Sequence, residues 1–164
     1  MPTSLGRPYA TDWRGSPPQM LQTDVPVWYR FLEKWGHLFV NLYYDCLLGG
    51  PHLSIQQEAD PVWRGWRAIT SKRADAIAEL EDTCWIIEVA KTPGLRAVGQ
   101  LQVYRALWIE DPKIEKPEEM ILVYQDLDKD LIASAAMYGI RCYAQPLPAV
   151  PTISMPYSPN YPLE

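Results

Sequence analysis

The chain has 164 residues, 48% hydrophobic and 21% charged, the length of one domain of about 100–150 residues with some to spare. A net charge of −5 and a pI near 5.1 argue against a general nucleic-acid binder, whose affinity comes from many Lys and Arg contacts to phosphate, but leave room for a local basic groove. No apolar run approaches the roughly 18 residues of a membrane helix, and MPTSLGRPYATDWRG lacks the apolar core of a signal peptide; the expectation is a soluble protein with no membrane partner, not exported by that route.

In chain order, residues 1–24 hold four of the sixteen prolines and read as an extended arm. Asp24 is a candidate N-cap and Pro26 a first-turn residue, and Trp28, Phe31, Leu32 and Trp35 then fall on one face of a helix over about 25–36. Leu38 to Leu48 is rich in β-formers and stops at Gly49-Gly50-Pro51, so it predicts a strand. Asp60-Pro61 can open a short helix carrying Trp63 and Trp66. Next, KRADAIAEL and CWIIEVA flank the polar Glu81-Asp82-Thr83 and predict a β-hairpin. Gly94 starts a helix that ends at Asp111-Pro112, Met120 to Gln125 is a strand, Asp128 to Tyr138 a helix closed by Gly139, and Ile140 to Ala144 a strand. Residues 145–164 contain six prolines and one charged side chain, Glu164, and read as a second extended arm with apolar side chains to bury. The organisation is an N-terminal arm (1–24), one α/β domain (25–144) and a C-terminal arm (145–164).

Turn geometry brings two acids together. With Glu81 and Asp82 as the central turn residues, 80 pairs with 83, 79 with 84, and Asp75 stands opposite Glu88. Directly opposed residues have Cβ atoms roughly 4.5–5.5 Å apart, where two like charges repel. A divalent cation resolves the repulsion, because Mg²⁺ is held by one or two carboxylates and water and can polarise a phosphate and activate water. A three-residue turn would shift the register, and Arg73 or Lys72 could neutralise the pair instead. Other sites are poor candidates. His37 and His52 lack partners at metal-ligand spacing, and neither G-x-G-x-x-G nor G-K-[ST] occurs, so no nucleotide or other small-molecule substrate is implied. Cys46, Cys84 and Cys142 are odd in number and lie in apolar stretches, which predicts free thiols. Arg64, Arg67, Lys72 and Arg73 interleave with Trp63 and Trp66; this is either a phosphate-backbone contact or a packed aromatic pair with a charged rim.

The element order and three motifs together resemble the PD-(D/E)XK nuclease superfamily, the restriction-endonuclease-like fold with its αβββαβ core. The residues that carry the likeness are Asp75 in KRADAIAEL, Glu88 in WIIEVAK, and Gln100 and Tyr104 in GQLQVY, which fits the Q-x-x-x-Y of RecB-like members. The resemblance covers about residues 25–144 and implies a mixed central sheet flanked by helices. It also implies Asp75 and Glu88 as metal ligands, Gln100 and Tyr104 as strand-positioning residues, and a glutamate from the first helix, for which Glu33 is the candidate. The family's E-x-K requires Lys at position 90, where this chain has Ala90 followed by Lys91. In a regular strand Lys91 points away from Glu88; a β-bulge would turn it back.

WIIEVAK and GQL also resemble segments of small bacteriophage proteins. With the displaced lysine and the two arms, this likeness implies a virion assembly component at the head–tail junction (neck, connector). Such a protein has a catalytically degenerate nuclease-like fold, no cofactor, and arms that clamp neighbouring virion subunits or copies of itself. The alternative the likeness implies is a Mg²⁺-dependent deoxyribonuclease using Asp75, Glu88, Lys91, Gln100 and Tyr104, with DNA as partner.

Overall fold

The computed structural model describes residues 2–126 and 128–149, and the C-terminal arm beyond Ala149 lies outside them. The elements are α1 (Val25–Trp35) with a 3₁₀ turn over Gly36–Leu38, β1 (Asn41–Leu48), α2 (Ile55–Ala59), α3 (Pro61–Thr70), β2 (Lys72–Glu79), β3 (Cys84–Ala90), α4 (Leu95–Glu110), β4 (Glu118–Tyr124), α5 (Lys129–Met137) and β5 (Ile140–Ala144). The strands form one α/β sheet in the order β1-β2-β3-β4-β5. The pairs β1–β2 and β2–β3 are antiparallel, and the pairs β3–β4 and β4–β5 are parallel. Parallel pairing needs crossovers, and α4 and α5 supply them.

Each face of the sheet has its own core. On one side Trp28, Phe31 and Leu32 of α1 pack on Leu42, Tyr44, Ala76, Ala78, Trp85, Ile87 and Val123. On the other, Ala97, Leu101, Tyr104 and Trp108 of α4 and Ala135 of α5 cover Ile77, Ile86, Leu122 and Ile140. The apolar runs Cys84–Ile87 of β3 and Met120–Tyr124 of β4 follow from this double coverage, since a strand buried on both faces has no polar alternation. Cys46 and Cys84 are buried free thiols and Cys142 is a half-buried one, as the sequence predicts. Burial pushes Cys84 up to about 12, so it stays a neutral thiol at neutral pH.

The strand predicted from Leu38 begins at Asn41, because Gly36–Leu38 first completes a 3₁₀ turn after α1. Helix α2 is additional to the sequence prediction; it starts at a capping box in which Ser54 and Gln57 satisfy each other's backbone N–H.

The N-terminal arm is seated on its own domain. Ser4 and Leu47 exchange two backbone hydrogen bonds of 2.9 Å, and the Tyr9 N–H donates to Leu42 O at 2.7 Å. Residues 2–10 thus close the open edge of β1, which would otherwise present unpaired backbone groups. Tyr9 and Trp13 then stack around Tyr44, with ring centroids 4.9–5.9 Å apart. Inside this cluster the Trp28 Nε1–H donates to the Tyr44 hydroxyl at 2.8 Å.

One backbone feature shapes the region of the acid pair. Asp45 adopts φ +53°, a left-handed conformation that Asp tolerates better than most residues. Leu42 and Tyr44 before it belong to the α1-side core, whereas Cys46 and Leu48 after it belong to the α4-side core. Pairing resumes on both sides, at Tyr44↔Ala76 and Cys46↔Ala74, so β1 reverses its faces opposite Asp75 without losing register. The Arg73 guanidinium ion-pairs with Asp45 there and also donates to Ala68 O.

Candidate functional site

The hairpin turn has two central residues, with Leu80 N–H donating to Thr83 O at 2.8 Å. Pairing runs from Glu79↔Cys84 to Ala76↔Ile87, where the β2–β3 ladder ends one residue short of Asp75 and Glu88. Glu88 is in phase with Ile86 on the α4 side, and the charges of both acids act on Tyr104 of α4. Beyond Ala76↔Ile87 the ladder gives way to a side-chain bond: the Val89 N–H donates to Asp75 Oδ2 at 2.8 Å.

The two carboxyl groups are half-buried and close enough to shape each other's ionisation. Burial, opposed by the Val89 hydrogen bond, pushes Asp75 up to about 6. Burial and then the charges of Asp75 and Asp24 push Glu88 up to about 9, so it is protonated at neutral pH. Glu88 Oε2 is a buried oxygen with no hydrogen-bond partner among the described residues. Neither Lys72 nor Arg73 neutralises the pair: Lys72 is exposed and Arg73 is engaged with Asp45.

Helix α4 places a row of polar side chains over the acids. Arg96, Gln100 and Tyr104 are spaced i, i+4, i+8 and so share one face. Gln100 Nε2 donates to Tyr104 Oη at 3.0 Å. Burial and the Glu88 charge push the Tyr104 phenol up to about 12. The Arg96 guanidinium is the cation that acts on Glu88, holding its carboxyl lower than burial alone would. Beside this row lies a groove of about 720 Å³ lined by Lys72, Arg73, Arg96, Gln100 and Tyr104, with Ile69 of α3 at its rim.

Lys91 stays outside. Strand β3 pairs with β4 without interruption through Ala90↔Tyr124, so no bulge turns Lys91 back. Its backbone is fixed instead: the Lys91 N–H donates to Asp24 Oδ1 at 2.7 Å, and Lys91 O accepts from the N–H groups of Gln125 and Asp126. The exposed Lys91 amine acts on Asp126, whose carboxyl is held low first by hydrogen bonds from Thr92 and Gln125.

One other expectation is corrected. Glu33 is exposed on α1 and does not reach the pair; the α1 acid that does is Asp24, at the helix N-cap position. Asp24 makes no side-chain cap bond, because its carboxylate is engaged with Lys91. Arg96 escapes a reading built on E-x-K, although its spacing of four residues before Gln100 is visible in the sequence.

The donors fit a hard cation held by two carboxylates and water, with the unpartnered Glu88 Oε2 as the chief support. Binding there would have to displace the Glu88 proton. Among the described residues no group of three or more His, Cys, Asp and Glu side chains is placed to hold a metal ion. No helix among them is long and apolar enough to cross a membrane. No family model, curated protein or solved structure matches this chain.

Proposed function

We propose that this chain is a bacteriophage virion assembly component at the head–tail junction, built on a restriction-endonuclease-like core that keeps its acid pair without an amine beside it. The observation that carries this reading is the regular pairing of β3 through Ala90↔Tyr124, which directs Lys91 away from Glu88. Glu88 is then a neutral carboxylic acid at physiological pH, with an arginine rather than a lysine nearby. The virion setting rests on the sequence likeness of WIIEVAK and GQL. Contacts with virion subunits and with other copies are assigned to the C-terminal arm, since residues 2–10 of the other arm are engaged with β1 of their own domain.

A second reading, a Mg²⁺-dependent deoxyribonuclease, is favoured by Arg96 and the groove lined by Lys72, Arg73 and Gln100. In it Asp75 and Glu88 would hold the ion, which supplies phosphate polarisation and water activation. Arg96 would pair with a phosphate oxygen, and Gln100 and Tyr104 would orient the strand.

Incubation of the purified chain with linear and supercoiled DNA in Mg²⁺ or Mn²⁺ separates the two. Little or no cleavage is expected. Robust cleavage that disappears in Asp75→Ala and Glu88→Ala would establish the second reading, and Lys91→Ala beside Arg96→Ala would show which cation takes part.

A further inference from the structure

Helices α2 and α3 bury none of their side chains. Their apolar residues face solvent: Ile55, Val62 and Ile69 are each more than three-quarters exposed, and Trp63 and Trp66 are 38% and 47% exposed. The two indoles meet edge-on with centroids 5.5 Å apart. A ten-residue helix is marginal in water without a packed face, and an exposed apolar patch built around two tryptophans marks a contact surface. Hydrogen bonds tether this unit to the domain, from Arg67 to Pro2 O, from Arg73 to Ala68 O and from Ser71 to Gly49 O; they do not cover the indoles.

The chain itself contains a ligand of matching chemistry. Residues 150–164, VPTISMPYSPNYPLE, hold four prolines, two tyrosines and a single charged side chain, Glu164. Pro-rich segments dock in aromatic-lined surfaces, where the rings accept pyrrolidine faces and a stiff segment loses little entropy. The point of departure is also suitable. The registers set Leu48, Lys72, Ala90, Tyr124 and Ala144 toward one end of the sheet, so α3 and the outgoing chain emerge at the same end. Gln145 is buried, with its N–H on Tyr124 O, but Pro146 to Ala149 are all exposed and lead the chain into solvent. A segment of fifteen residues has a polyproline span of about 45 Å, long enough to reach another molecule.

We propose that residues 150–164 of one copy dock on the Trp63–Trp66 face of α3 of a neighbouring copy. This rests on the assembly reading above and names the surface that receives the arm. Glu164 then has Arg64, on the same helix as the indoles, as a partner of opposite sign.

The test uses the full chain with a benzophenone amino acid at position 157, made in ¹⁵N-labelled and unlabelled forms and mixed before irradiation. Crosslinks joining heavy to light chains and mapping to residues 61–70 are expected. The Trp63→Ala/Trp66→Ala variant, whose melting temperature should be little changed because neither indole belongs to the core on either face of the sheet, should lose at least tenfold in crosslink yield and sediment as a monomer. Absent crosslinks, crosslinks only between chains of one isotope, crosslinks elsewhere, or a yield unaffected by the double variant would each overturn the proposal. DNA cleavage is blind to the arm, so the reading on which this rests fails or stands by a separate measurement.

Discussion

The Asp24 carboxylate accepts the Lys91 backbone N–H at 2.7 Å, tying the start of α1 to the residue at which β3 leaves the sheet. The bond has two effects. It fixes the backbone where the lysine side chain departs toward Asp126. It also brings a third carboxylate within electrostatic reach of Asp75 and Glu88, raising the proton affinity of both.

Separating these effects is straightforward. Asp24→Asn keeps an oxygen acceptor for Lys91 and removes the charge, so the Asp75 and Glu88 titrations followed by carboxyl ¹³C NMR should both move down in pH. Asp24→Ala removes the acceptor as well and should cost a further ~1 kcal/mol in denaturant unfolding, because a part-buried backbone N–H is left unpaired. Unmoved titrations in Asp24→Asn would mean that burial alone sets the two values.

Glu88 makes the stability pH-dependent in a defined direction. Its folded value, about 9, lies above its ordinary 4.5, so the folded state holds a proton that the unfolded chain releases. Stability from this group is full below about 4.5 and is lost as pH rises toward 9. Asp75, raised to about 6, adds to the loss at the acidic end of that window. Glu88→Gln should flatten the profile between pH 6 and 9 and raise the melting temperature at pH 8 by several degrees, about 2–4 °C per kcal/mol for a chain of this size. Equal melting temperatures for the two proteins at pH 8 would refute the assignment.

The acid pair was legible in the sequence because a two-residue turn and strict alternation set the hairpin register locally. The fate of Lys91 was not, since a bulge is decided by pairing with β4, whose partner residues lie more than thirty positions further on. Asp24 reads as a helix cap, and nothing near it announces that its acceptor will serve a residue 67 positions away. The S-x-x-Q signature at Ser54–Gln57 was visible, but apolar periodicity passes over a helix of five residues. Proline content identifies residues 1–24 as an arm; it carries no information about which sheet edge receives it, and the open edge of β1 exists only once the sheet has formed.

The Trp28–Tyr44 hydrogen bond lies within the aromatic core between α1 and the sheet. Tyr44→Phe keeps the ring and its edge contacts with Tyr9 and Trp28 but leaves a buried indole N–H unpaired. A loss of about 1–3 kcal/mol in unfolding free energy is expected. Tyr9→Phe, at a half-buried ring with no hydroxyl bond in this network, should change stability by less than about 0.5 kcal/mol and serves as the control.

Removing residues 2–10 should do two different things, and each has its own measurement. Thr3, Leu5 and Tyr9 lose their burial, and Asp111 loses the Thr3 N–H that donates to it at 2.9 Å, so calorimetry should record a lower melting temperature equivalent to about 2–4 kcal/mol. The backbone groups of Leu42 and Leu47 are also unpaired, which turns β1 into an open edge able to pair with another copy. Sedimentation velocity of the shortened chain should therefore show self-association that grows with concentration. A Leu47→Pro substitution in the shortened chain, which removes the exposed donor, should reduce that association. Destabilisation without association would leave the arm a packing role alone, and association without destabilisation would mean that its side chains contribute little to the core.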